Sequence, residues 1–334
     1  MVDIVDTPSG FVPVTRIETS DLALGGNEVN SPNKQLKELA RRDRWLNDQL
    51  AAFIGVGDTV AQNSFEAFKQ AGIAGLAQGR LTLVSGNPTG TAAGATVLYY
   101  TPYNGDVVSL YNTTLSRWEA FTFTERSLSL AGLLANTNYD IFLFDNAGTL
   151  TLQAVAWTNG TTRAVALVRQ NGVLVKNSDL RRYLGTIRIN PTAGQCTDDN
   201  TRRFVYNELN QEPRPLSANV SASYTYASTT YRAVNNNTTV GQGRVEIVTG
   251  RTIDGLVSAI LNVAAGAPTG GIAVVLDANA PGTGLVPGVV GLYSINTIGQ
   301  GFIPSGYHFI QMSEAAFGGT ASLSNPGLRI DLRM

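Results

Sequence analysis

Cysteine and histidine are almost missing from this chain: Cys196 and His308 are each the only residue of their kind. A single cysteine cannot close a disulfide within the chain. One His and one Cys also leave most zinc-type sites and most nucleophilic triads without enough members. Charge is scarce too. Asp, Glu, Lys and Arg make up 15% of the residues, against roughly 25% in an ordinary globular protein. With 24 Lys+Arg and 25 Asp+Glu, the formal net charge of −1 supplies no basic surplus for nucleic acid. Long apolar runs are absent: even the apolar stretch Gly255 to Val274 contains Ser, Asn, Pro and several Gly, so no spanning helix and no membrane insertion are expected. The opening MVDIVDTPSGFVPVTRIETS has no basic start followed by an apolar core. It therefore does not read as a secretory signal, and synthesis in a reducing cytoplasm is expected.

What is present is Asn, Thr, Ser, Gln and 35 Gly, spread over 334 residues. That length suggests about two domains, or three small ones. Residues 1–30 hold short apolar runs around Phe11, Val12 and Ile17, with Pro8, Pro13 and Gly25-Gly26 between them. They read as an extended arm that needs another surface to be ordered. Ser31 can then cap a helix opened by Pro32. In the following run, Leu36, Leu39, Leu46, Leu50 and Phe53 fall on alternating seven-residue core positions, with Asp43 in the remaining slot. One polar core position can set register and oligomer state. An ordinary amphipathic helix lying on a globular domain fits the same spacing. A second helical segment, Val60 to Ala77, is weakened by Gly72 and Gly75.

After Gly79 the period becomes two. LTLVSG, ATVLYYTPY, DVVSLYN, WEAFTFTE, YDIFLFDN, TLTLQAVAW, AVALV and YLGTIRIN read as strands. Asn104-Gly105 and Asp145-Asn146-Ala147-Gly148 suit tight hairpins. Gly185 inside a strand pattern predicts a bulge or a close backbone approach. From Leu216 onward a second β region begins, with GRVEIVTG, GIAVVLDA, VVGLYSI, GYHFIQM and GLRIDLRM as strands. TIDGLVSAILNVAAG fits a short helix or a buried strand pair equally.

Chemistry-bearing clusters are few. Cys196 stands beside Asp198 and Asp199 with no second soft ligand near in sequence. This predicts a small residue in a polar loop with solvated acids, and no metal. A Ca²⁺ site of Asp and carbonyl oxygens remains an open alternative without EF-hand spacing behind it. His308, in Gly-Tyr-His-Phe-Ile, lacks a nucleophile-elbow partner and reads as an exposed strand histidine or one beside a ligand groove. Asp140, Asp145, Glu246 and Asp254 are scattered acids that no glycosidase motif unites. Gly55-Val56-Gly57 lacks the rest of a phosphate loop. Aromatic residues among Asn and Thr in the last region give candidate receptor contacts: Tyr231, Tyr293, Tyr307, His308 and Phe317.

Three stretches carry resemblances. Pro32-Asn33-Lys34-Gln35-Leu36-Lys37-Glu38-Leu39-Ala40-Arg41 through Leu46 resembles the opening segment of phage tail-fibre and baseplate-associated appendage proteins. Gly79 to Thr82, Tyr99 to Tyr103, Trp118, Arg182 to Ile187 and Arg203 to Asn207 resemble a β-domain of phage structural proteins over about residues 79–216. Leu130-Ala131-Gly132-Leu133 before Asn138-Tyr139 resembles the loop leading into a tyrosine corner of fibronectin-like sandwiches.

The fold expected is mainly β with an N-terminal helical stalk: an extended arm, a coiled-coil-like helix and two antiparallel β-sandwich domains, assembled as a homotrimeric fibre. The parts are an arm at 1–30, a stalk at 31–78, a shoulder at 79–216 and a tip at 217–334. The resemblance implies a non-enzymatic virion protein without cofactors. The arm, through Phe11, Val12 and Ile17, would bind other tail or baseplate proteins. The tip would bind a host-surface glycan or protein by avidity. A head fibre, collar or capsid decoration protein is the alternative in the same class, and a tail-associated glycan depolymerase in another.

Overall fold

The strand-like spacing after residue 79 is realised almost everywhere it was expected. The computed structural model describes residues 42, 44–46, 48, 49, 68–70, 72–263, 269–279, 295–317 and 319–334. The chain divides into one unit at Met1–Gly72 and a second at Ile73–Met334. In the first, the described residues at 42, 44–46, 48, 49 and 68–70 are helical, and Leu46 is 46% exposed. Leu36, Leu39, Asp43, Leu50 and Phe53, and the arm residues Phe11, Val12 and Ile17, lie outside the described residues.

The second unit is mainly β, built of several antiparallel sheets. Gly79–Thr82, Val97–Pro102 and Arg126–Ser129 form a three-stranded sheet. Val107–Asn112 and Arg117–Thr122 form a separate ribbon. A six-stranded sheet is centred on Asn138–Asn146 and Arg182–Arg188, flanked by Thr149–Ala156, Val173–Lys176, Leu167–Gln170 and Val205–Asn207. A seven-stranded sheet runs from Arg232–Ala233 through Gly306–Phe317, Arg244–Thr249, Arg202–Arg203 and Cys196–Asp198 to Ala92–Ala95, with Thr269–Leu276 also on Gly306–Phe317. A five-stranded sheet holds Leu216–Asn219 and Ser223–Tyr226 on one side of Ala321–Asp331, then Ile253–Val263 and Ile295–Ile303 on the other. The 253–263 segment, ambiguous by periodicity, is therefore one long strand. Of the expected strand VVGLYSI, only Ile295 is described, and Tyr293 lies outside the described residues.

The seven-stranded sheet takes strands from both sides of residue 216 and so bridges the expected division between shoulder and tip. Within it, Arg202–Arg203 runs parallel to Arg244–Thr249. One core lies between the seven- and five-stranded sheets, where Val245, Ile247, Ile310 and Met312 meet Leu216, Leu323, Leu328 and Ile330. A second gathers Leu81, Leu98, Tyr100, Ile141, Leu143, Ile187, Cys196, Phe204 and Val248. Cys196 is thus a buried strand residue, a correction to the polar loop predicted for it, and burial pushes its thiol well above the ordinary range.

Asp198 is buried rather than solvated, a second correction. It accepts from Arg203 at 3.5 Å and from Arg214, which also donates to the carbonyls of Thr89 and Gly90. Arg80, close to this group, donates to the carbonyls of Asn210 and Met334. Buried guanidinium groups need partners on every side, and here main-chain oxygens supply most of them.

Local readings divide instructively. Asn146 pairs with Thr149 across a two-residue turn in which Ala147 and Gly148 have φ of 52° and 87°, and Asp145 accepts from the Gly148 N–H at 2.8 Å. That hairpin was legible. Asn104-Gly105 is not a hairpin: it passes the chain from the three-stranded sheet to the ribbon. Gln78 draws it off, its carbonyl accepting from the Tyr103 and Asn104 N–H groups and its side chain from Val107 N–H. The Tyr139 hydroxyl accepts from the Leu134 N–H at 2.8 Å, the hydrogen bond of a tyrosine corner. At Gly185 the ladder between Arg182–Arg188 and Asn138–Asn146 shifts register, and a Cβ there would stand 2.0 Å from the Tyr206 carbonyl oxygen. Gly185→Ala is therefore expected to cost at least ~3 kcal/mol, the upper end for an overpacked core, measured as a lowered urea midpoint at unchanged slope.

Candidate functional site

A cleft of about 320 Å³ opens between the ribbon and the six-stranded sheet, a size within the ordinary range for small-molecule sites. Three pieces of chain build it. The ribbon supplies Tyr111, Asn112, Glu119 and Phe121. Its turn is set by Asn112, whose Oδ1 accepts from the N–H groups of Thr114 and Leu115, both at 3.0 Å. The strand Asn138–Asn146 supplies Phe144 and Asp145 near its end. The third wall is the turn Asp179–Arg182, closed where Leu180 N–H donates to Lys176 O and Lys176 N–H to Arg181 O, both at 2.9 Å. Leu180 takes φ 57° there, a conformation disfavoured for a side chain of its size.

Charges in the cleft are unevenly matched. Asp179 Oδ2 lies 3.0 Å from both Lys176 Nζ and Arg181 Nε. Arg181 in turn lies over the Phe144 ring at 3.8 Å, an electrostatically favourable stack. Glu119 accepts from Asn112 at 2.9 Å and from Arg117 at 2.8 Å, and these bonds hold its carboxyl below the usual range. Arg182 is different. Its Nη1 donates to Ala74 O, Ser109 O and Ser109 Oγ at 2.9, 3.0 and 2.6 Å. Its Nε and Nη2 are buried with no partner. No carboxylate pairs with it among the described residues; the Trp118 ring stands 5.7 Å away. Burial pulls the guanidinium down to about 10. Aromatic walls with a few converging amide, carboxylate and guanidinium groups can hold a small polar molecule that also has an apolar face.

The residues singled out from sequence lie elsewhere. Tyr231 and Phe317 come together edge-on, with ring centroids 6.3 Å apart. Tyr307 belongs to a different cluster. Its hydroxyl donates to Glu246 Oε1 at 2.7 Å, Arg188 covers its ring at 3.6 Å, and Glu246 also holds Arg202 at 2.8 Å. His308 is a correction: it is 4% exposed rather than a surface strand residue. Its register partner is Ile247, so it faces the sandwich core. Its Nδ1 lies 2.7 Å from Asp277 Oδ2, and Asp277 Oδ1 also accepts from Phe309 N–H. Of the scattered acids, Asp140 is buried beneath Arg163 and Thr186, both at 2.7 Å, Glu246 serves Tyr307 and Arg202, and Asp254 is exposed. Asp145 alone lies in the cleft. Sequence reasoning missed Arg181-Arg182. The available signal was two adjacent cations opening the apolar strand that begins Tyr183-Leu184, where one must turn inward.

Among the described residues no three His, Cys, Asp or Glu side chains converge as a metal cluster, and no helix is long and apolar enough to cross a membrane.

No protein-family model matches the chain, and no curated protein matches it. Solved structures give only low-scoring likenesses of mixed kinds. An insecticidal delta-endotoxin from Bacillus thuringiensis aligns at 10% identity and TM-score 0.19 over 76% of this chain and 51% of its own. A structure of infectious bursal disease virus aligns at 10% identity and TM-score 0.23, over 74% of this chain and 59% of its own. An exo-β-1,3-galactanase from Phanerochaete chrysosporium aligns at 10% identity and TM-score 0.19, over 75% and 68%. The chain spans about half the length of the two endotoxins that head these likenesses.

The uncompensated charge of Arg182 makes a sharp prediction. Replacing a buried unpaired cation by an apolar chain of similar length removes a desolvation cost but takes the Nη1 donor from Ala74 O and Ser109 O, so Arg182→Met should cost only about 1–2 kcal/mol. Arg182→Ala adds a cavity and should lose about 3 kcal/mol. Chemical denaturation of both variants checks the difference.

Proposed function

We propose that this chain is a binding and structural protein of a phage virion appendage, a trimeric tail or baseplate fibre that recognises a host-surface glycan. The observation that carries the binding half is the lining of the 320 Å³ cleft, where Tyr111, Phe121 and Phe144 stand among Asn112, Asp145 and Arg181. Aromatic faces match the C–H faces of a sugar ring, and amide, carboxylate and guanidinium groups match its hydroxyls. The resemblance of residues 32–46 and 79–216 to phage appendage proteins supports the virion half. In this reading recognition is by the shoulder, with Tyr231, Tyr307 and Phe317 as structural aromatics of the tip. Residues 1–30 anchor to the tail or baseplate and the helical segments of the 31–78 stalk bring three copies together, the span passing into the β unit by Ala77, which bridges to Val108. Repetition of a modest site raises avidity.

Glu119 suits holding a glycan better than cutting it. A glycosidase needs one carboxylic acid kept protonated near neutral pH, whereas Asn112 and Arg117 keep Glu119 ionised.

Titration of the full chain with host-surface polysaccharide tests this directly. Saturable binding is expected, weakened at least about tenfold (~1.4 kcal/mol) by Tyr111→Ala or Arg181→Ala, with the polysaccharide's chain length unchanged. Shortened chains would revive the depolymerase reading, and variants binding like the parent would remove the cleft from recognition. For the anchor, deletion of residues 1–30 is expected to leave a soluble protein that no longer enters particles, scored by its presence in purified virions.

A further inference from the structure

Partners in the cleft are shared out unevenly between acids and cations. Each carboxylate there already has one. Asp145 Oδ1 accepts from the Gly148 N–H at 2.8 Å, Glu119 accepts from Asn112 and Arg117, and Asp179 lies against Lys176 and Arg181. The arginines on the facing wall are less well served. Arg181 turns its Nε to Asp179, while its Nη1 and Nη2 make no hydrogen bond among the described residues. The stack on Phe144 and the Asp179 contact hold this guanidinium in place, and 27% of the side chain stays open to solvent. Arg182, the next residue, lines the same cleft and is 1% exposed. Its Nε and Nη2 are buried without partners, and no carboxylate pairs with it among the described residues.

The surplus of positive charge falls on one wall. From Lys176 to Arg182 the chain carries three cations, and Asp179 is the only carboxylate among them. Water and salt screen a buried charge far less than an exposed one, so Arg182 adds its field to that of Arg181. A guanidinium with two free, parallel N–H groups matches the two oxygens of a carboxylate. Because Arg181 is already stacked and anchored, it loses little freedom on making that contact.

We infer that the glycan held in the cleft is an acidic one, that Arg181 receives the carboxylate of a sugar unit on its two Nη groups, and that the buried Arg182 supplies the unmatched positive charge that favours it. This rests on the glycan reading of the cleft and adds the class of sugar. The uncharged face of the sugar lies against Tyr111 and Phe121, and its hydroxyls meet Asn112 and Asp145. The carboxylates of the cleft do not compete for Arg182, because each is already engaged elsewhere.

Two polymers test it on the full chain: polygalacturonate, and the same polymer after its carboxyl groups have been reduced to alcohols. The wild type should bind the acidic form at least about tenfold more tightly at low ionic strength, with the ratio shrinking as salt is added. Arg181→Lys keeps the charge and loses the fork, whereas Arg182→Met loses the buried charge. Each should lower the ratio of the two affinities at least about threefold. The ratio is the readout, so a loss of binding common to both polymers cancels. A wild-type ratio near one overturns the acidic class and leaves the glycan reading standing. A ratio that both variants keep also overturns it, because the charge is then read elsewhere. Failure to bind either polymer at millimolar sugar overturns it as well, and saturable binding of the host-surface polysaccharide would then show that the glycan reading itself survives.

Discussion

A single buried carboxylate organises the second unit. Asp198 sits between Arg203 and Arg214, and each arginine ties down a different piece of backbone. Arg214 holds the carbonyls of Thr89 and Gly90; Arg203 holds Pro215 O at 2.9 Å and Asn200 Oδ1 at 2.9 Å. A charge this deep persists only when every neighbouring charge is matched and every N–H is satisfied. The demand is met by main-chain oxygens from segments far apart in sequence. Meeting it fixes the strand Cys196–Asp198 against Ala92–Ala95, and so locks the early β segments to the later ones.

The cleft obeys the opposite rule. Arg182 also sits in a dry setting, but no carboxylate answers it among the described residues. The two arginine sites differ in what each contributes: the Asp198 group is closed and serves the fold, whereas Arg182 leaves polar capacity unused beside an open cavity. Most buried polar atoms find a partner, so these two nitrogens are an exception.

Much of this was legible in the sequence, for a definable reason. Strand positions, the Asp145–Gly148 turn, the corner at Tyr139 and the irregularity at Gly185 are set by local sterics and alternation, which are written in neighbouring residues. What was hidden depends on partners distant in sequence. The strand Arg182–Arg188 is buried on both faces, so its arginines and Thr186 gave no warning of their depth. His308 points inward because Ile247 is its register partner, and register is not a property of one strand. Asn104-Gly105 carried an ordinary hairpin signal and lost it to Gln78, which satisfies the same backbone groups from outside the turn.

The parallel pairing of Arg202–Arg203 with Arg244–Thr249 has a kinetic consequence. Antiparallel neighbours can zip from a turn, but a parallel pair must wait until the chain has travelled back to its starting end. During synthesis, the strand beside Asp198 therefore has a vacant neighbour until the residues of the 244–249 strand have emerged. The long excursion between them slows closure further. Arg202–Arg203 then completes its hydrogen bonding only when Arg244–Thr249 arrives, so the seven-stranded sheet closes late, whereas the three- and six-stranded sheets draw only on residues before 208.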